Sequence, residues 1–211
     1  YAVKSNESGK TDIAISVSDD EIRERLRLSD NLSEQGAEDV LILSKFCNAV
    51  LDGFDGFFFH SSCLELDGEG YVFSAVSGTG KSTHTALWRR HFGNRVTMIN
   101  DDKPVIRKCD GKFYVYGTPW MGKANIGTNT KAPVKAVYIL RRAEENTAVR
   151  ALPSQVMKQL LEATVIDVER SRMEKLLELL DEFFKKTPLF LLGCNMDESA
   201  VMTAYNAANG G

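Results

Sequence analysis

The stretch "SAVSGTGKSTHTALW", Ser74–Trp88, places a glycine-rich loop between an apolar run and an amphipathic one. The run "YVFSAV" predicts a buried strand, and "KSTHTALWRRHF" predicts a helix that begins at the loop. In this order the backbone N–H groups of the loop and the positive end of the helix dipole face one point. A strand, a glycine loop and a helix so arranged bind phosphate, and we expect them to do so here.

The loop follows the pattern G-x-x-x-x-G-K-[ST] except that Ala75 replaces the first glycine. A methyl group is tolerable there if φ stays negative, whereas Gly78 and Gly80 lie where the chain bends around phosphate. Lys81 can reach the β- and γ-phosphates, and Ser82 can place its hydroxyl on Mg²⁺. The predicted nucleotide contacts of this P-loop are Ser77, Gly78, Thr79, Gly80, Lys81, Ser82 and Thr83.

A second segment, "SGKT" at Ser8–Thr11, carries similar letters. No apolar strand precedes it, and the strand-like "TDIAISVS" follows it where a phosphate loop needs a helix. We therefore interpret it as part of a polar tail and assign phosphate binding to the later loop alone.

A histidine and two carboxylates lie near the loop in the predicted topology. The turn "DGEG" folds the strand of "FHSSCLEL" back onto "YVFSAV", and a hairpin symmetric about Gly68 and Glu69 would place His60 opposite Ser77. After the loop helix, the short strand "RVTMIN" ends at Asp101-Asp102. Acids at the carboxyl end of such a strand can bind Mg²⁺ or accept a proton from an attacking hydroxyl. A structural histidine and a plain Asp-Asp turn are the alternatives.

Composition narrows the class of protein. The 211 residues carry a formal net charge of -3 with 43% hydrophobic and 26% charged residues, which gives no indication of a nucleic-acid or membrane partner. The four cysteines are widely spaced and form no C-x-x-C pair, so a reducing cytoplasm is the expected compartment. Neither a disulfide framework nor a zinc site is predicted.

The order of predicted elements indicates an α/β fold, with a P-loop core built on a mixed β-sheet flanked by helices. We expect one domain over residues 1–211, with an N-terminal elaboration over 1–52 and the core over 53–211. A hairpin is predicted to turn at Asp110-Gly111, and the helix in "VERSRMEKLLELLDEFFKK" is predicted to pack one apolar stripe on the sheet. That stripe consists of Met173, Leu176, Leu177, Leu180 and Phe184.

Taken together, "FHSSCLEL", "SGTGKST" and "INDD" resemble the catalytic core of the HPr kinase family, which shares a P-loop fold with phosphoenolpyruvate carboxykinases. These motifs span Phe59 to Asp102, and "YGTPWMGK" extends the likeness to stand-alone HPr-kinase-like proteins. Two positions depart from the family: Ala75 in the loop, and "VYGTPWMG", which stands where the bifunctional enzymes carry an acidic residue.

The resemblance implies an ATP- and Mg²⁺-dependent kinase that transfers the γ-phosphoryl group to a hydroxyl, most simply a serine of a peptide or protein. It implies that Lys81 and Ser82 bind phosphate and Mg²⁺, that Asp101 is the base, and that Asp102 supports the metal and hydrogen-bonds His60. Lys123, in "TPWMGKAN", is a candidate nucleotide contact, and Trp120 either closes over a ligand or packs as a lid without one.

Two other functions stay open at this point. The acceptor could be a small-molecule hydroxyl, or the chain could be a nucleotide-binding regulator that transfers no phosphate. A carboxykinase is not expected, because 211 residues are too few for the substrate machinery of that family.

Overall fold

The computed structural model describes residues 13–29, 31–166 and 168–210. Within these ranges the chain forms six α-helices and nine strands. The helices are α1 (Asp19–Arg27), α2 (Glu34–Phe54), α3 (Lys81–Phe92), α4 (Pro153–Ala163), α5 (Met173–Lys186) and α6 (Ser199–Asn209). The strands are β1 (Gly56–Phe58), β2 (Ser62–Leu66), β3 (Glu69–Ser74), β4 (Val96–Asn100), β5 (Val105–Cys109), β6 (Lys112–Tyr116), β7 (Lys131–Arg142), β8 (Thr147–Ala151) and β9 (Leu189–Cys194).

The strands form one curled mixed sheet flanked by helices, in the order β1-β5-β6-β7-β3-β2-β4. Strand β7 is the longest and lies at the centre. Its first residues pair with β6 in antiparallel fashion, and its later residues pair in parallel with β3 on one side and β9 on the other. Strand β8 continues the sheet beyond β9. The mixed α/β sheet that the sequence predicts is therefore present.

Two apolar cores cover the two faces of the sheet. On one face, α4 and α5 bury Leu160, Leu180 and Phe183 against Val72 and Ile99 of the strands. On the other face, α3 and α6 pack around the fully buried Trp88, which contacts an aromatic cluster on the sheet and the end of α3. That cluster comprises Tyr71, Phe73, Tyr138 and Phe190.

The N-terminal part packs against the edge of the sheet that holds β1. Val50 and Cys47 of α2 are buried against Phe58 of β1 and Val105 of β5. Helix α1 begins with a capping box, in which Ser18 and Glu21 exchange hydrogen bonds. No helix in the described ranges has both the length and the apolar character that crossing a membrane requires.

Several local predictions are confirmed and others are wrong. The hairpin does turn at Asp110-Gly111, where both residues have positive φ. In contrast, residues 13–18 of "TDIAISVS" form no strand: Ile13 instead packs near α2, and Ser18 caps α1. The segment "SGKT" lies outside the described residues.

The predicted stripe of α5 is wrong at Leu177, whose surface is 49% exposed. Leu179 and Phe183 are buried in its place, so the buried face of the helix is rotated toward them. The i, i+3, i+4 pattern admits both faces here because leucines occupy neighbouring positions on each. Helix α4, which the sequence analysis did not single out, supplies the remaining contact surface.

Candidate functional site

Four segments meet at one edge of the sheet because of the strand directions. Strands β3 and β4 both run antiparallel to β2, so their carboxyl ends lie where the chain enters β2. The loop 75–80 follows β3, Asp101-Asp102 follows β4, and His60 immediately precedes β2. Strand β7 is parallel to β3 and delivers Arg142 to the same edge. Ligand sites of α/β sheets lie at such carboxyl ends.

The loop has the backbone that the glycine positions predict. Gly78 has a φ of 78° and Gly80 a φ of 122°, conformations that side chains with a Cβ rarely adopt. Ala75 does not have positive φ, and its methyl group packs against the core under α3. The alanine therefore replaces glycine at the loop position where the backbone needs no glycine.

Helix α3 begins at Lys81 with no side-chain cap and no acidic residue in its first turn. Its first N–H groups and the positive end of its dipole consequently face the loop without a capping side chain. The Lys81 ammonium is half-buried and donates to the carbonyl oxygen of Ala75 at 3.2 Å. Burial lowers the pKa of Lys81, and the nearby carboxylates of Asp102 and Asp101 oppose that shift.

The turn after β4 is fixed by a buried asparagine. The Asn100 side chain is fully buried, and its Oδ1 accepts hydrogen bonds from the N–H groups of Asp102 and Lys103, both at 2.9 Å. Its Nδ2 donates to the carbonyl oxygen and hydroxyl of Thr118 at 3.0 and 3.1 Å. The acidic pair thus lies in an Asx turn, and the asparagine of that turn is itself bonded to Thr118. Sequence reasoning missed Asn100 and Thr118, although Asn100 lies within the quoted "INDD".

Asp101 is 8% exposed, and its carboxylate accepts a hydrogen bond from the hydroxyl of Ser62. The same hydroxyl lies 3.2 Å from Thr85 Oγ1 of α3, which in turn donates to the carbonyl oxygen of Ser82. A buried chain of hydroxyls thus joins the acid after β4 to the first turn of the loop helix. Neither Ser62 nor Thr85 was identified from the sequence, because their contact depends on the sheet and helix meeting.

Asp102 has two hydrogen-bonding neighbours. Its carboxylate lies 3.3 Å from Nε2 of His60 and accepts a hydrogen bond from Nζ of Lys103 at 2.7 Å. Burial acts to raise the pKa of Asp102, but the hydrogen bonds from His60 and Lys103 outweigh it and lower the pKa to about 2. Asp102 is therefore a carboxylate at neutral pH.

The predicted register of His60 is wrong by two residues. The hairpin turns at Asp67-Gly68, which both have positive φ, so Ser62 pairs with Phe73. Continued two residues further, this register puts His60 level with Ala75 rather than Ser77. The backbone N–H of His60 donates to the carbonyl oxygen of Ala163 at 2.6 Å, and this contact breaks "GFFFHSSCLEL" into β1 and β2.

Most predicted site residues surround one cavity of about 580 Å³, which we call the phosphate cavity after the ligand that the sequence predicts for it. Thr79 lies instead on an adjoining cavity of about 540 Å³, shared with Arg141 and Arg142. Trp120 is also absent from the phosphate cavity and packs against Phe46 and Phe58. The lining of the phosphate cavity is His60, Ser77, Gly78, Gly80, Lys81, Ser82, Thr83, Asp101, Asp102, Gly122, Lys123 and Ala124.

Arg142 is a further basic residue at the loop that the sequence analysis did not select. Its Nη2 donates to the carbonyl oxygen of Gly78 at 2.7 Å, and its Nε lies 3.4 Å from the carbonyl oxygen of Thr79. These contacts hold two loop carbonyls toward the end of β7. The signal in the sequence was the pair of arginines that ends the apolar strand "KAVYILRR".

The comparisons with known proteins place this site in a wider context. No family model matches the chain, and no curated protein matches it either. Among solved structures, the Hpr(Ser) kinase/phosphatase from Coxiella burnetii is similar with a TM-score of 0.40 and 12% sequence identity. The match covers 72% of this chain and 93% of that chain.

Proposed function

We propose that the protein is a kinase that transfers the γ-phosphoryl group of ATP to a hydroxyl group. The observation that carries this proposal is the phosphate cavity, in which Lys81 and the start of α3 face the carboxylates of Asp101 and Asp102. Cationic and N–H groups on one side suit the phosphates of a nucleotide. Carboxylates on the other side suit a metal ion and the proton of an acceptor hydroxyl.

In this proposal the loop N–H groups and Lys81 bind the β- and γ-phosphates, and Lys123 adds a second cation at the rim. The hydroxyl of Ser82 and the carboxylate of Asp102 would hold Mg²⁺, and both are oxygen donors of the kind that this ion prefers. When bound, the ion would neutralise negative charge on the phosphates. Arg142 keeps the loop in shape from outside by its bonds to the loop carbonyls.

Asp101 is the proposed base. Its carboxylate accepts the proton of the acceptor hydroxyl while that oxygen forms a bond to the γ-phosphorus. The bond from the γ-phosphorus to the β–γ bridging oxygen breaks, and ADP leaves. His60 does not carry the proton in this scheme; it orients the Asp102 carboxylate through the 3.3 Å contact.

The proposed acceptor is a serine in a peptide or protein, with a small-molecule hydroxyl as the alternative. We also propose that residues 1–211 act as one domain, because α2 and the sheet share a buried cluster. A cytoplasmic location is proposed as well, since the four cysteines are widely spaced and form no disulfide in the described residues.

The proposal is tested by separating nucleotide binding from transfer. Lys81→Ala should weaken ATP binding in the presence of Mg²⁺ by at least about tenfold in a calorimetric titration, because a charge facing the phosphates is lost. Lys10→Ala, in the other glycine-lysine segment, is the control and should bind like the parent. Unchanged affinity in Lys81→Ala would remove the phosphate cavity as the nucleotide site.

Asp101→Asn should bind ATP normally while transfer to a serine peptide library falls by about a hundredfold or more, the range for a positioned base. The substitution keeps the size of the side chain and removes the proton acceptor. Transfer at the parent rate would refute the role of Asp101. Binding of ATP by the parent with no transfer to any acceptor would favour a regulator over a kinase.

A further inference from the structure

A second cavity, of about 560 Å³, adjoins the phosphate cavity at Asp102 and Gly122. The two cavities share only these residues in the described ranges, so Asp102 and Gly122 lie at the boundary between them. Gly122 has a φ of 68°, and a Cβ there would lie 3.0 Å from Cβ of Asp102. Glycine at this position therefore lets the backbone lie close to the Asp102 side chain.

The wall of this second cavity is mainly apolar and comes from two parts of the chain. The N-terminal part contributes Ile13, Ile15, Ile42 and Phe46, and the loop after β6 contributes Trp120 and Met121. An apolar surface that lines an open cavity is a site for an apolar group of a ligand.

Trp120 is held in place before any ligand binds. Its ring lies 5.7 Å from that of Phe46 and 5.5 Å from that of Phe58, and its carbonyl oxygen accepts a hydrogen bond from the N–H of Lys103. Lys103 directly follows the acidic pair. The apolar wall and the proposed catalytic acids are thus parts of one rigid arrangement, which lowers the entropy cost of binding.

The charge of the cavity selects the ligand further. Among its described lining residues, the charged side chains are Asp39 and Asp102, and both are carboxylates. Asp39 is exposed and has no ion-pair or hydrogen-bond partner in the described part of the chain. A ligand with a cationic group would complement Asp39, whereas an anionic ligand would be repelled.

The cavity beside Arg142 is a less suitable place for the acceptor. It shares His60 and Ser77 with the phosphate cavity, but neither Asp101 nor Asp102 lines it. The wall of that cavity therefore offers a bound hydroxyl neither of the two carboxylates. The apolar cavity does have one of the two acids in its wall.

We propose, resting on the proposed kinase function, that the apolar cavity binds the phosphoryl acceptor, and that this acceptor is a peptide. Its serine points past Gly122 toward Asp101, a bulky apolar side chain next to that serine fills the space beside Trp120, and a lysine or arginine side chain pairs with Asp39. The N-terminal elaboration thereby determines specificity, since it supplies Asp39 and half of the apolar wall.

The two tryptophans of the chain make the cavity directly measurable. Trp88 is fully buried in the core, so changes in intrinsic fluorescence on peptide binding report Trp120. Four serine peptides of equal length are titrated into the full-length protein, with and without AMP-PNP and Mg²⁺. In each peptide the residue next to the serine is Leu or Gly, and the residue beyond that one is Lys or Glu, which gives the four combinations.

The Leu-Lys peptide should shift Trp120 emission to shorter wavelength and bind about tenfold more tightly than the Gly-Lys peptide, because a buried leucine side chain contributes that much. It should bind at least about threefold more tightly than the Leu-Glu peptide. Asp39→Asn should reduce the preference for Lys, whereas Glu38→Gln, on the same helix but outside the cavity, should not. Trp120→Phe should lose the spectral shift.

The proposal would be overturned if the four peptides bound equally or if none of them changed the emission. It would also be overturned if the emission changed with protein concentration and not with peptide, because a second copy of the chain would then occupy the cavity. Transfer from ATP is measured on the same peptides in parallel. Selective binding without transfer would contradict the kinase function and leave the cavity assigned. Phosphoryl transfer to all four peptides without a difference in their binding would support the kinase function and contradict the assignment of the apolar cavity.

Discussion

At the scale of single residues, the proposed base depends on a neighbour that has no chemical role of its own. Asp101 is held by the hydroxyl of Ser62, and Ser62 is held close to Thr85 on the loop helix. The carboxylate therefore keeps a fixed position relative to α3 and to the phosphates that the helix would bind. A base contributes to rate only when it is within reach of its proton in the correct orientation.

Replacing Ser62 with alanine should lower kcat for transfer by about tenfold, because the Asp101 carboxylate loses the group that orients it. ATP affinity should stay within about twofold, since no phosphate contact is removed. Ser61→Ala is the matched control: Ser61 is equally buried but donates to the carbonyl oxygen of Phe59, away from the acid. Steady-state kinetics of both variants separate the two effects. Equal kcat in Ser62→Ala and Ser61→Ala would show that Ser62 does not position the base.

At the scale of elements, the helices and strands of the core follow from local patterns. The strand, loop and helix around Lys81 form where the apolar runs and glycines predict them, and so does the hairpin at Asp110-Gly111. Within the core, the register of the His60 hairpin and the rotation of α5 were predicted wrongly, and outside it the strand predicted over residues 13–18 is absent. The Asp67-Gly68 pair already contained the two-residue turn that would have placed His60 correctly. The buried face of α5 could not be chosen, because its leucines satisfy two alternative faces.

The rest of the site was not predictable from local sequence, for a physical reason. Asn100 becomes important through Thr118, and Arg142 through the loop carbonyl of Gly78. Each contact joins segments that are distant along the chain and that meet only after the sheet has formed. Sequence patterns report the residue types that carry chemistry, such as Lys81, but not the groups that hold them.

Helix α5 gives a direct test of which face is buried. Leu180→Ala should reduce the free energy of unfolding by about 2–5 kcal/mol, because Leu180 is 2% exposed and its loss leaves a cavity in the core. Leu177→Ala, one turn earlier and 49% exposed, should change it by less than about 0.5 kcal/mol. Urea unfolding of both variants measures the difference. Similar losses in the two variants would contradict the observed rotation of the helix.

At the scale of the whole molecule, the acidic pair links the site to the stability of the fold. The pKa of Asp102 is lowered from 3.8 to about 2 in the folded chain. The unfolded chain therefore binds a proton at a higher pH than the folded chain does. The ionised Asp102 carboxylate therefore stabilises the folded chain. This stabilisation is complete at pH values above the pKa of Asp102 in the unfolded chain, and it is lost as the pH falls through the pKa of Asp102 in the folded chain.

In the Asp102→Asn variant, the free energy of unfolding should consequently fall less steeply with decreasing pH than in the parent. Between about pH 5 and pH 2 the parent should lose up to about 2 kcal/mol through this group, and the variant should lack that part of the decline. Asp110→Asn, at an exposed turn that accepts asparagine equally well, is the control for the change of charge. Urea unfolding at several pH values measures the slopes. Parallel slopes for the parent and Asp102→Asn would show that the ion pairs of Asp102 do not stabilise the fold.

The central position of β7 also determines the order in which the molecule can assemble. The hairpins β2–β3 and β5–β6 join neighbouring segments and can form early, whereas β7 must find β3 and β9 far from it along the chain. Such non-local pairing makes folding slow, because the loop entropy is lost before the contacts form. Since Arg142 reaches the glycine loop only from the end of β7, the proposed nucleotide site is completed in the same late step as the sheet. A chain released partly folded would therefore have the proposed catalytic carboxylates but would lack the Arg142 contacts that hold the glycine loop.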